Sequence, residues 1–301
     1  MASLTLRRQK CHGCGKRIFV RYSHTEYCPM CARLAIRMAV KKFEAETVKK
    51  IWAYVRKHGC VCYYTGMHLD MEDIHSPWYC VFDHWMPRDG TKIVLTSALL
   101  NEMKANLLEK EFWYIIKQLA NHKRKNTKVR KIKLALWERH YSEDSEYLLG
   151  LKVNGQSFLN SKKSLYKCSL CGKPVLRYNA KYCPLCAKFA ARLHSKQLPP
   201  ETIEDTLNYV RHRGYTCKYS GIALELNNPG SPWYWQLDHW IPQDTRKIVL
   251  TCALFNVMKS DLSESEFWYY VKQLADFKEK GKKVRKKKLA YWWRLYPVED
   301  A

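Results

Sequence analysis

Asp83 and His84 are neighbours in the chain, and Asn101 and Lys104 follow on one segment, three positions apart. The same four residue types return as Asp238, His239, Asn256 and Lys259, each at an offset of 155. Together they offer the parts that hydrolysis of a phosphodiester requires. Histidine is the side chain suited to take a proton from water near neutrality. A divalent cation holds the leaving oxygen and a non-bridging oxygen. Hard cations such as Mg²⁺ take oxygen ligands, often only one or two from protein, with waters and phosphate completing the octahedron. Asp83 with the amide oxygen of Asn101 supplies one such pair, and Asp238 with Asn256 a second. Lys104 and Lys259 then contact the phosphate or position the loop beside it.

The cysteines form another constellation. Of 13, eight fall in CxxC pairs: Cys11/Cys14 with Cys28/Cys31, and Cys168/Cys171 with Cys183/Cys186. Four soft thiolates per module match the tetrahedral preference of Zn²⁺, and an all-cysteine site is closed, hence structural. The competing reading is a thioredoxin-type dithiol. Four cysteines per module, repeated in both halves, favour two structural zinc ions. Whether such a ribbon also touches DNA stays open. Cys60, Cys62, Cys80, Cys217 and Cys252 remain as thiols outside this pattern, which fits an intracellular, reducing compartment such as cytoplasm, nucleoid, nucleus or organelle.

These residues need elements to hold them. Residues 54–141 reappear as 209–296 without an insertion, so two domains are expected: 1–141, then a linker at 142–165, then 166–301. Each half reads as a four-cysteine module, one connecting helix ending at Gly59 in the first copy, two short strands, and further helices. CVFDHWM is a strand that Pro87 cuts short, and KIVLT is a β-branched strand. Adjacent strand residues face opposite ways, so a turn between Asp83 and His84 is expected. From Ser97 the pattern is helical. Leu99, Leu100, Met103 and Leu107 make one apolar stripe, with Asn101 and Lys104 roughly 115° away from it. Ser263-x-x-Glu266 has the spacing of a capping box. Trp78 and Trp233, and Phe112-Trp113-Tyr114, are expected in the core.

Upstream of Asp83 stands Cys62-Tyr-Tyr-Thr65-Gly66, and upstream of Asp238 stands Cys217-Lys-Tyr-Ser220-Gly221. Downstream come NEMKANLLEKEF and NVMKSDLSESEF. With the Asp-His pair between them, each stretch resembles the HNH endonucleases, the ββα-metal or His-Me finger family. The resemblance implies a metal-dependent DNA endonuclease with a ββα-metal core in each half. It implies Asp83, Asn101, Asp238 and Asn256 as metal ligands and His84 and His239 as general bases. The family's middle asparagine is not evident, and Lys92 and Lys247 stand near its expected place.

Charge points the same way. Lys and Arg total 53 against 28 Asp and Glu, a net +25 over 301 residues, as a polyanionic partner requires. The basic residues concentrate in two runs, each expected to be a basic, aromatic C-terminal helix on the duplex backbone. The first holds Lys123, Arg124, Lys125, Lys128, Arg130 and Lys131; the second holds Lys278, Lys280, Lys283, Arg285, Lys286 and Lys288. No apolar run reaches the roughly 20 residues of a spanning helix, and the start lacks the apolar stretch of a secretory signal. The expected whole is an α+β protein of two tandem, pseudo-twofold-related halves, a monomer with an internal pseudo-dimer acting on double-stranded DNA. Site-specific double-strand cutting of homing or restriction type, junction resolution, and non-catalytic binding on a retired nuclease fold are the functions this pattern allows.

Overall fold

A computed structural model describes residues 7–20, 25–84, 92–137, 166–175, 181–242, 244, 246–290 and 292. The expected linker at 142–165 and Pro87 lie outside them. Among the described residues the architecture is α+β, combining helices with four small two-stranded antiparallel sheets. Among the described residues no helix is long and apolar enough to cross a membrane.

The first repeat opens with a hairpin of β1 (Arg7–Lys10) and β2 (Arg17–Val20). Helix α1 (Pro29–Val40) follows, started by Cys28 at the N-cap with proline behind it. The expected single connecting helix is in fact two, because α1 stops and α2 (Ala45–His58) begins afresh. Lys42 between them is left-handed at φ 51°, a conformation that breaks the helical path. The second repeat breaks at the same place, between α5 (Pro184–Ser195) and α6 (Pro200–Arg213). There Gln197 has φ 51°, and Pro199 and Pro200 cannot continue a helix. Helix α2 does end at Gly59, where φ is 83°.

Next comes a strand–strand–helix unit. Strand β3 (Cys80–His84) pairs antiparallel with β4 (Ile93–Ser97), in the register Asp83↔Val94 and His84↔Ile93. Helix α3 (Ala98–Lys104) follows directly, capped by Ser97 Oγ, which accepts from Leu100 N–H at 3.3 Å. Its apolar stripe is buried as its spacing requires, through Leu99, Leu100, Met103 and the following Leu107. Helix α4 (Glu109–Lys125) completes the repeat, its first turn closed by Glu111 Oε2 accepting from Leu108 N–H at 2.9 Å.

The second repeat copies this order. A short β5 (Tyr166–Lys167) and β6 (Pro174–Val175) precede α5 and α6. Then come β7 (Trp235–His239), β8 (Ile248–Cys252), α7 (Ala253–Lys259) and α8 (Glu264–Lys280). Trp78, Trp233, Phe112 and Trp113 are buried, while Tyr114 is exposed.

Compactness groups the chain differently from the repeat. One unit is Met1–Ile116 with Glu266–Ala301, and the other is Lys117–Ser265. In the first unit, Tyr270 of α8 packs on Trp78, their ring centroids 5.6 Å apart, and Phe277 lies 6.3 Å from Trp113. Trp292 packs against Tyr79, Val81 and Ala98. Glu266, from the expected capping box, accepts the Ala290 N–H at 2.8 Å. In the second unit, Lys131 pairs with Glu225 at 3.0 Å.

The basic runs are not helical along their length, which corrects the expected C-terminal helices. Helix α4 stops at Lys125, where Asn126 turns left-handed at φ 50°, and α8 stops before Gly281 at φ 64°. From Thr127 to Trp137 the chain forms neither helix nor strand. Ile132, Leu134 and Leu136 are half-buried and Lys131, Lys133 and Ala135 exposed, an alternation of period two. Gln118 fixes the segment by accepting from Arg130 N–H at 2.7 Å and donating to Arg130 O at 3.2 Å.

Candidate active site and metal centres

In the first four-cysteine module, the first pair lies in the turn between β1 and β2 and the second at the start of α1. All four sulfurs lie within 4.8 Å of one another, as they do in the second module. Cys14 and Cys28 are 4.0 Å apart, and Cys171 and Cys183 3.7 Å. Zinc–sulfur bonds of about 2.3 Å set tetrahedron edges of about 3.8 Å, so the cages have the right size. Two zinc-ribbon-like modules that could each hold a structural ion are therefore present.

The local electrostatics fit such an ion. Burial alone would raise the Cys11 thiol, but backbone N–H groups of Cys28, Cys14 and Gly13 outweigh it and bring it down to about 6. Cys168 is likewise brought down to about 6 against burial, by N–H groups of Cys171, Cys183 and Leu170. Burial and then neighbouring thiols push Cys31 up. A dication removes that crowding. Gly13 is packed so closely that a Cβ there would come within 2.6 Å of Trp52 and 2.8 Å of Cys31. The matching positions of the second repeat are Leu170 and Leu207, a larger residue beside a smaller one.

Asp83 and His84 both lie within β3, so no turn separates them, contrary to expectation. The strand's alternation sends Asp83 inward and leaves His84 exposed at the strand end. Facing Asp83 is the side of α3 that carries Lys104. Lys104 Nζ donates to Asp83 Oδ1 at 3.3 Å and sits 3.2 Å from Oδ2. It donates to the His84 carbonyl as well, at 3.3 Å. In the second unit, Lys259 Nζ reaches Asp238 Oδ1 at 3.1 Å and the His239 carbonyl at 2.8 Å. Both lysines are essentially without solvent exposure, at 0% and 1%. Off the apolar stripe, Asn101 and Asn256 are half-buried, while the lysines are buried and spent on the aspartate and the strand end.

One partner escaped sequence reasoning. The Tyr64 hydroxyl donates to Asp83 Oδ2 at 2.5 Å, and Tyr219 to Asp238 Oδ2 at 2.6 Å. Both belong to the Cys-x-Tyr-Thr/Ser-Gly stretches, and their identity at matching positions was the available signal. Burial of Asp83 outweighs the Lys104 ammonium and the Tyr64 hydroxyl, so its carboxyl lies above the ordinary aspartate range; Asp238 behaves alike. Asn256 Nδ2 donates to Gln236 Oε1 at 2.7 Å, which turns its amide oxygen away from that bond. Val81 stands at the corresponding position of the first unit.

Carboxylate and amide oxygens are the donor type that a hard cation takes. A carboxylate has about four lone-pair sites, and the bonds from Tyr64 and Lys104 leave room on Asp83 for a metal bond.

Most of the basic runs lie at the surface. Lys123, Arg124, Lys125, Lys128, Arg130, Lys283, Arg285 and Lys288 are exposed. Others have local work. Lys278 lies over Trp113 at 5.0 Å, Lys280 pairs with Asp276 at 3.3 Å, and Lys286 lies over Trp78 at 5.8 Å. No family model matches the chain, and no curated protein or solved structure matches it either.

Proposed function

We propose that the chain is a metal-dependent DNA endonuclease of HNH type, with one hydrolytic site in each unit. The observation that carries this reading is the duplicated geometry. Two diverged repeats each set an Asp-His strand end against an Asn-x-x-Lys helix, with the same tyrosine and lysine on the aspartate. A purely structural clasp needs Asp, Lys and Tyr, but it gives no reason to retain in both repeats a half-buried asparagine and a histidine that is exposed in the first and half-buried in the second.

His84 and His239 would take the proton of an attacking water. Asp83 with Asn101, and Asp238 with Asn256, would hold Mg²⁺ or a similar ion. Such an ion, when bound, stabilises charge on the leaving and non-bridging oxygens. Lys104 and Lys259 hold the carboxylate and the histidine carbonyl in register, so they position the site. The exposed lysines and arginines of the two runs contact the backbone of a DNA duplex. Two sites in one chain suit a double-strand break at an asymmetric target, of homing or restriction type, or paired nicks in a junction.

One observation favours a second reading, non-catalytic nucleic-acid binding: each aspartate is buried and already neutralised by a lysine. Incubation with supercoiled plasmid, with and without Mg²⁺, separates the two. Mg²⁺-dependent nicking that a His84→Ala/His239→Ala variant lacks supports the nuclease. No nicking by the zinc-loaded protein, or undiminished nicking by the variant, refutes it.

A further inference from the structure

A cavity of about 380 Å³ opens in the second unit, between α6 and β8. That size falls in the range of about 300–1,000 Å³ typical of small-molecule sites. Its wall is not that of a packing void. Tyr209 and Trp240 present aromatic rings, and Lys218, Arg246 and Lys247 bring cations, with Asp205 among them. Lys218 Nζ lies 5.9 Å from the Tyr209 ring centre and 5.3 Å from that of Trp240, so both rings and one ammonium border the same space.

We propose that this cavity receives a single unstacked nucleotide of the bound strand, its base against Tyr209 and Trp240 and its phosphate toward Arg246 and Lys247. The identity of the ligand rests on the nucleic-acid reading of the second unit. Aromatic faces stack on any base, and the cations meet the phosphate that every nucleotide carries. Asp205 accepts and Lys218 donates. Such a pair can meet the polar groups on a base edge without singling out one base.

The location fits a nucleotide flanking the scissile bond. Trp240 follows His239 directly, and its N–H donates to Lys247 O at 2.8 Å, extending the β7–β8 pairing one step past the histidine. The wall is braced before any ligand arrives. Thr202 Oγ1 donates to Arg246 O at 3.0 Å, and the Tyr209 hydroxyl to Thr216 O at 3.3 Å.

The repeats have diverged at the positions that would read the base. Tyr54 and Lys92 match Tyr209 and Lys247, but Lys50 replaces Asp205, Ile51 replaces Thr206 and Tyr63 replaces Lys218. In the first unit the Tyr63 ring leans toward Tyr54, their centroids 6.1 Å apart. A tyrosine at 218 would likewise crowd Tyr209 and fill the cavity. The proposed nucleotide pocket thus belongs to the second unit.

Photo-crosslinking of the full-length zinc-loaded protein to a short single strand carrying 5-iododeoxycytidine tests this, with crosslinked peptides mapped by mass spectrometry. Crosslinks should map to Trp240 or Tyr209. Lys218→Tyr, a residue this scaffold already accommodates at the matching position, should lower their yield at least about fivefold, the least that losing one base–aromatic stack costs. Asp205→Ala, an exposed change that spares the core, should lower it too. Crosslinks confined to the zinc modules and basic runs, or wild-type yield in both variants, would overturn the proposal. The crosslink forms whether or not the strand is cut. Crosslinking at Trp240 without cleavage therefore refutes the nuclease and leaves the pocket, and cleavage with crosslinks elsewhere does the reverse.

Discussion

A carboxylate buried as deeply as Asp83 is costly to keep ionised, and its two partners divide the task of offsetting that cost. Lys104→Ala leaves a buried charge unpaired and should destabilise the protein by about 3–5 kcal/mol. Tyr64→Phe removes one hydrogen bond and should cost about 1–3 kcal/mol. Urea denaturation checks both, and wild-type stability for Lys104→Ala would contradict the clasp. The pH dependence has a definite sign. Burial holds the folded-state carboxyl above its unfolded value. Asp83 therefore contributes its full share of stability below the ordinary aspartate range and loses it as pH rises through the folded value. Measured across that window, Asp83→Asn should gain on the wild type as pH rises; parallel curves would count against the raised carboxyl. At this scale the sequence disclosed the aspartate, histidine, asparagine and lysine through their joint repetition. It concealed that Lys104 is buried, because a lysine off an apolar stripe reads as solvated until a buried acid is placed opposite it.

The elements that carry these residues obey simple rules where the sequence is periodic. Strands β3 and β4 and the stripe of α3 follow from alternation and helical spacing. The break between α1 and α2 hides in the first repeat because nothing in Lys41–Glu44 forbids a helix. Pro199-Pro200 announces it in the second. The non-helical basic run is equally legible in the alternation of Lys131-Ile132-Lys133-Leu134-Ala135-Leu136, whose period of two does not fit a helix. The zinc modules supply the prediction at this level. Two zinc ions per chain are expected, resistant to a mild chelator. Gly13→Ala forces a Cβ against Trp52 and Cys31, an overpacking strain of about 1–3 kcal/mol. Metal analysis after chelation should find zinc lost from the first module and kept by the second; full retention of both ions would contradict the tight packing at Gly13.

For the molecule as a whole, the compact units exchange the ends of the two repeats, an arrangement that linear repetition does not reveal. Its consequence is that a residue of the second repeat should stabilise the core of the first. Tyr270 is fully buried against Trp78. Tyr270→Ala should cost about 3–5 kcal/mol, the range for large aromatic truncations. Hydrogen exchange should show the loss of protection around Trp78–Val81, and a loss confined to residues 117–265 would contradict the exchange. The duplication itself gives each unit a full set of candidate groups, and on the proposed reading each set would align one scissile phosphate with its own base. End labelling of the two strands of a cleaved duplex tests this most directly, using His84→Ala and His239→Ala singly. Each variant should nick one strand, and the two should nick opposite strands, with DNA binding retained because the basic runs are intact. Cleavage of both strands by either variant, or nicking of the same strand by both, would contradict one hydrolytic site per unit.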